Sequence, residues 1–188
     1  MKKLLLLLSA MLAMSSLALA ADVYKIDGAH SSANFAVKHM GISTVRGRFT
    51  DVSGTILFDE AAPEKSSVTA VIRSNSVTTD NVTRDKHLNT PDFFDTAQYP
   101  ELRFQSTSVR KVGGDQYVAM GNLTIRDVTK QVELPFTLAQ GKGAKGEPRL
   151  GAEGSLTINR FDYHVSYDPT GLGVGKEVKI DVSVEGTK

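Results

Sequence analysis

The sequence predicts an all-β fold: an antiparallel eight-stranded barrel carrying one short helix near residues 83–96. Three observations lead there. Apolar and polar residues alternate with a period of two along most of residues 22–185, so each strand has one buried and one wet face. The linkers between alternating stretches are mostly too short for crossover helices, which makes neighbouring strands antiparallel. Long strands, a parity shift and glycines on the inner face favour a barrel over a sandwich.

A first short strand covers residues 22–28. Phe35, Val37 and His39 then share a face, and Val45, Gly47 and Phe49 continue on odd positions. Next, Gly54, Ile56 and Phe58 are even, so a bulge is expected at Asp51-Val52-Ser53 to absorb the one-residue shift. Val68, Ala70 and Ile72 face one way in the following strand, as do Leu102 and Phe104 later, followed by Ser106 and Ser108. Across a Gly113-Gly114 turn come Tyr117, Ala119, Gly121, Leu123 and Ile125, then Val132, Leu134, Phe136 and Leu138. An exposed loop is expected at 141–148, rich in Gly and Lys. Ala152, Gly154, Leu156 and Ile158 precede the last strand, where Val178, Ile180, Val182 and Val184 point inward.

The alternation stops between Thr83 and Pro100, where charges cluster around two adjacent phenylalanines. Thr90 reads as a helix cap with Pro91 in the first helical position. The expected helical segment carries Arg84, Lys86 and His87 over Leu88, Phe93 and Phe94. Its bland reading is a solvated face on which Asp85 pairs with a neighbouring base. Its functional reading is a closure for a barrel mouth that offers cations to an acidic head group.

Residues 1–20 read as a cleaved signal peptide: Lys2-Lys3, an apolar run from Leu4, and a small-x-small end at Ala18-Leu19-Ala20. That places the protein in the periplasm, with residues 21–188 as a single domain. No cysteine is present, so disulfides, thiol catalysis and a lipid-modified N-terminus are excluded. Of 22 basic residues two lie in the leader, against 21 acidic ones, and no long basic run remains. Nucleic acid is therefore not an expected partner, and nothing after residue 20 is apolar enough to span a membrane. A chain of this length buries about 70% of its unfolded surface in one core and needs no disulfide.

Catalytic signals are weak. There is no nucleophile elbow and no phosphate loop. The four histidines, His30, His39, His87 and His164, lack helical metal-ligand spacing, and converging with Asp27 or Asp85 in space is the one route left to a metal. An eight-stranded barrel holds either packed side chains or one slim ligand. The mixed inner face is compatible with both.

Several fragments, taken in order, resemble the YceI family of exported, lipocalin-like proteins described as polyisoprenoid-binding. They are Tyr24-Lys25-Ile26-Asp27 with His30-Ser31; Phe35 to Gly41; Gly47-Arg48-Phe49; and Gly54-Thr55. Arg84-Asp85-Lys86-His87-Leu88 with Asp92-Phe93-Phe94 and Tyr99-Pro100 is the most specific part. Gly121 to Ile125, Val128-Thr129-Lys130 and Asn159-Arg160-Phe161-Asp162 complete it. Asp127 and His164 depart from the pattern, each standing where a glycine is usual; both fall in turns near strand ends.

The resemblance implies an apolar pore that binds the chain of an isoprenoid, quinone-like or fatty-chain lipid non-covalently, with no catalytic residue, metal or cofactor. On that basis Phe35, Val37, Phe49, Ile56, Val68, Ile72, Leu102, Phe104 and Leu123 are expected to line the pore, with Arg84 and His87 as candidates for a head group. The resulting function is carriage, storage or sequestration of the lipid. The alternative is a protein-interaction module with a packed barrel, and a third reading is a hydrolase or metal-dependent enzyme built on the histidines. A homodimer is compatible with any of them.

Overall fold

The computed structural model describes residues 21–188; the expected signal peptide at 1–20 lies outside the described residues. Eleven strands form a single antiparallel sheet that closes on itself. They are β1 (Asp22–Ile26), β2 (Ser32–His39), β3 (Ser43–Phe49), β4 (Val52–Phe58), β5 (Ser67–Arg73), β6 (Val77–Thr78), β7 (Glu101–Gly113), β8 (Gln116–Ile125), β9 (Val128–Lys142), β10 (Pro148–Asn159) and β11 (Val174–Thr187).

Three pairs are consecutive halves of one bent stave. β1 and β2 both pair with β11, β2 and β1 pair in turn with β3 and β4, and β4 and β3 pair with β5 and β6. The result is an eight-stave up-and-down barrel, closed where β11 meets β1 and β2. Every stave has a neighbour on both sides, although the β9–β10 ladder stops at Phe136–Gly154.

The parity shift of the second stave has a different cause from the expected bulge at 51–53. β3 ends at Phe49 and β4 starts at Val52, with Thr50 and Asp51 in a bend. The next stave breaks at the same level, in a 3-10 turn at Ser74–Ser76. The freed groups are re-paired there: Thr50 N–H donates to Ser76 O at 3.3 Å, Asp51 N–H to Ser76 Oγ at 3.1 Å, and Arg73 N–H to Asp51 O at 3.0 Å. A bulge does occur in β7, between Ser106 and Ser108, and it turns Val109 into the core. The exposed loop expected at 141–148 is narrower than that, spanning 143–147 between Lys142 and Pro148, which pair.

Core residues come from the predicted inward parities. Phe49, Ile56, Phe58, Leu102, Tyr117, Ala119 and Ile125 are buried, joined by Tyr24 and Leu150, for which no inward face is expected from the sequence. Two inner glycines have a packing reason. A Cβ at Gly47 would collide with the Phe35 ring, and one at Gly121 with the Phe104 ring. The rings lie flat on the bare backbone instead of projecting across the barrel, so the small residues do not simply leave empty space.

One end of the barrel carries the hairpins at 113–116 and 142–148. The other carries α1 (Val82–Leu88), the turns that follow it, and a 160–173 connection beginning with a 3-10 turn at Arg160–Tyr163. Among the described residues no helix is long and apolar enough to cross a membrane.

Candidate functional site: an apolar cavity under a helical lid

The helix starts earlier than Thr90 and Pro91 suggest. Asn81 is the cap: its side chain accepts from Arg84 N–H at 3.0 Å. Thr90 instead closes the far end, its hydroxyl donating to His87 O at 2.8 Å, and Pro91 follows a helix that has already ended. At seven residues α1 is too short to hold itself together. Asp85 anchors it to the barrel, accepting from Thr78 Oγ1 at 2.9 Å, Thr79 N–H at 2.8 Å and the Thr79 hydroxyl. Burial raises the Asp85 pKa, but these hydrogen bonds outweigh it, and the carboxyl titrates below its ordinary range.

Leu88 and Phe93 are buried beneath the lid, and Phe94 meets Phe49 edge-on at 5.3 Å between ring centroids. Arg126 ties the lid down from the β8–β9 turn. Its Nη1 lies 3.1 Å from Pro91 O, 3.0 Å from Phe93 O and 2.7 Å from His164 O. The two residues that depart from the family pattern turn out to be partners: His164 Nδ1 is 3.0 Å from a carboxylate oxygen of Asp127. His164 occupies the left-handed region, φ 58°, which glycine enters freely. The side-chain hydrogen bond from His164 pulls the Asp127 carboxyl below its usual pKa.

Below the lid is a cavity of about 250 Å³, lined almost wholly by apolar side chains. All nine expected lining residues border it: Phe35, Val37, Phe49, Ile56, Val68, Ile72, Leu102, Phe104 and Leu123. Tyr117 and Phe136, stacked at 5.6 Å, lie toward the hairpin end. Arg84 and His87 are elsewhere, on the lid and outside the cavity wall. Arg84 is exposed and donates from Nε to Thr79 Oγ1 at 2.7 Å and from Nη2 to Thr79 O at 3.0 Å. His87 Nε2 is 2.7 Å from Asp92 Oδ2, and its ring meets Phe93 and Tyr167 edge-on.

Sequence reasoning missed Arg160. It borders the cavity, is only 4% exposed, and has no carboxylate within ion-pair distance among the described residues. Its guanidinium is held by backbone instead: Nε donates to Gly175 O (2.8 Å), Nη1 to Val165 O (2.7 Å), and Nη2 to Val174 O (2.8 Å) and Asp168 O (3.2 Å). Burial lowers its pKa, opposed by the charge of Asp168. The Asp168 carboxyl is itself drawn down to about 2 by the Thr170 hydroxyl and the Val174 and Gly173 N–H groups. Arg160 was visible in the sequence only as part of a motif fragment. A lone Arg beside a strand end gives no sign that four carbonyls converge on it.

Asp27, His30 and Glu185 come together on the outside of the barrel, with ligand atoms within 4.8 Å of one another. A cation already stands among them: Arg149 Nη1 is 2.8 Å from Glu185 Oε1 and 3.4 Å from Asp27 Oδ2. This motif stitches the bulged first stave to the last. Asp27 N–H donates to Glu185 O at 2.8 Å, and Glu185 N–H to Ser31 Oγ at 3.0 Å. The His30 hydrogen bond, then that of Ala29 N–H, lower the Asp27 pKa, and Asp27 in turn raises that of His30.

Comparison with known proteins agrees with this architecture. The profile of the YceI-like domain matches residues 24–186. Protein YceI of Escherichia coli O157:H7 is 42% identical over 175 residues, covering 91% of this chain and 89% of that protein. The crystal structure of Burkholderia cenocepacia BcnA superposes with a TM-score of 0.78 at 26% identity, covering 85% of this chain and 98% of BcnA. A polyisoprenoid binding domain from Saccharophagus degradans, implicated in plant cell wall breakdown, shares the fold at a TM-score of 0.68 and 18% identity, over 87% and 97% of the two chains. With a barrel of this topology and a domain match along nearly the whole described chain, the protein belongs to the YceI family.

Proposed function

We propose that the protein is a periplasmic, non-catalytic binder that takes the hydrocarbon chain of an isoprenoid or similar amphiphilic lipid into its barrel, for carriage, storage or sequestration. The observation that carries this reading is the apolar cavity inside the barrel, with a separately anchored lid. The Saccharophagus neighbour, described as polyisoprenoid-binding, supports it at the level of the fold. Each methylene moved from water into such a wall is worth about 0.8 kcal/mol, so a chain needs no polar contact to bind.

Size sets the mode of binding. A dry cavity of ~150 Å³ admits a benzene-sized molecule, so about 250 Å³ takes only a segment of a chain. A long isoprenoid is accommodated by displacement of the lid, whose fastenings are the Asp85 and Arg126 hydrogen bonds.

Native mass spectrometry on protein purified without detergent tests the reading. The expected result is an added mass that organic solvent releases as an isoprenoid or related lipid. A bare mass that stays bare after incubation with polyprenyl lipids and quinones overturns it, and points to an interaction module. The head group has its own test. Beyond its two bonds to Thr79, the Arg84 guanidinium keeps N–H groups free for an anion at the lid surface, close to His87. Arg84→Ala is expected to weaken a prenyl diphosphate about tenfold more than the matching prenol; equal losses remove Arg84 from the head-group role.

A further inference from the structure

Exposed apolar side chains gather at the lid end. Ile42 is 85% exposed, Leu172 77% and Met40 62%, and all three sit at the tips of two neighbouring segments. The β2–β3 hairpin contributes Met40 and Ile42, and the 160–173 connection contributes Leu172. Met40 N–H donates to Gly173 O at 2.9 Å and His39 pairs with Val174, so the two tips form one unit. Turns capped by glycine, such as Gly41 at φ 70°, are ordinarily polar, and three bare apolar side chains there have no packing role inside the barrel.

Basic side chains surround the tips. Lys38 and Arg46 lie on the hairpin strands and Lys176 just beyond the connection; all three are exposed. No carboxylate lies within 4.0 Å of their charged nitrogens among the described residues. The connection holds two acids: Asp162 lies 3.3 Å from Lys130 Nζ, and Asp168 is turned inward onto Gly173 N–H at 2.7 Å and Val174 N–H at 2.9 Å. The same connection reaches the ligand cavity from its other side, through Tyr163 and Val165. Apolar tips ringed by unpaired cations match the layered chemistry of an anionic bilayer surface, with acyl chains below and phosphates above.

We infer that Met40, Ile42 and Leu172 form a docking tip that dips into an anionic bilayer, with Lys38, Arg46 and Lys176 on the lipid phosphates. Docking lays the 160–173 connection against the membrane, so a lipid chain exchanges between bilayer and cavity without crossing open water. The inference rests on the lipid-binding reading and adds where that lipid is loaded and delivered.

The test uses protein expressed from the full 188-residue sequence. Co-sedimentation is measured with phosphatidylcholine vesicles with and without phosphatidylglycerol, beside uptake of a fluorescent isoprenoid from solution. Binding to the anionic vesicles alone is expected. Ile42→Asp with Leu172→Asp should weaken it at least about tenfold while leaving isoprenoid uptake unchanged. Both sites are exposed, so the fold tolerates the charges. Wild-type protein that takes up isoprenoid yet ignores anionic vesicles overturns the docking tip and leaves the lipid-binding reading intact. Sedimentation velocity provides a second arm: a dimer that the same substitutions dissolve makes the tip an interface between copies and overturns the inference. Failure of isoprenoid uptake in the wild type sinks the underlying reading instead.

Discussion

Arg160→Ala is expected to remove about 3–5 kcal/mol of stability, a large part of the roughly 5–15 kcal/mol that holds a domain of this kind together. The guanidinium gathers the carbonyls of Val165, Asp168, Val174 and Gly175, which otherwise have little reason to converge. Truncation leaves these acceptors without their donor and opens a void beside the cavity wall. Arg160→Lys should rescue little, because an ammonium lacks the planar fork that spans several acceptors. Denaturant unfolding of both variants checks this. A loss below about 1 kcal/mol for the alanine variant would show that water takes over the four carbonyls.

That arginine marks the boundary of what the sequence reveals. A two-residue period makes strand faces readable, and so parity puts Phe35, Phe49, Ile56, Phe104 and Leu123 on inner faces, while the pore they line is what the resemblance adds. Parity also exposed the break near residue 51. It could not tell a bulge from a bend, because that depends on the Ser74–Ser76 turn in the neighbouring stave. The loss of alternation reveals the lid, but not where its helix starts. Thr90-Pro91 carries the stronger local start signal, while Asn81 wins because Asp85, one turn on, has Thr78 and Thr79 to hold. Contacts of that kind join distant segments and leave no periodic trace. The Asp127–His164 pair is the same case: two separate oddities in sequence become one contact in space.

The second large effect concerns the cavity. Phe104→Asp, in protein that still folds, is expected to lower isoprenoid affinity by at least about 100-fold. Phe104 lies over Gly121 on the wall, with Leu102 and Leu123 close by in the register. A carboxylate there either stays charged against hydrocarbon or recruits water into the space a chain would fill, and both oppose binding. Phe104→Leu keeps the wall apolar and should change affinity by less than about threefold. Fluorescence titration with an isoprenoid probe, after circular dichroism has confirmed the fold, separates the two. Unchanged affinity in a folded Phe104→Asp protein would remove this cavity as the ligand's seat.

The ring of staves also dictates an order of events. β11 hydrogen-bonds to β10 on one side and to both β1 and β2 on the other, so Lys25 meets Thr187 across nearly the whole chain. Until the fourteen residues of β11 are in place, β10 and the β1–β2 stave are raw edges with nothing to join. Contacts this remote form slowly, after the local hairpins. β11 is thus the bolt of the barrel. The binding chamber stays open on one side until that strand has found β10 and the β1–β2 stave, whatever order the other strands take.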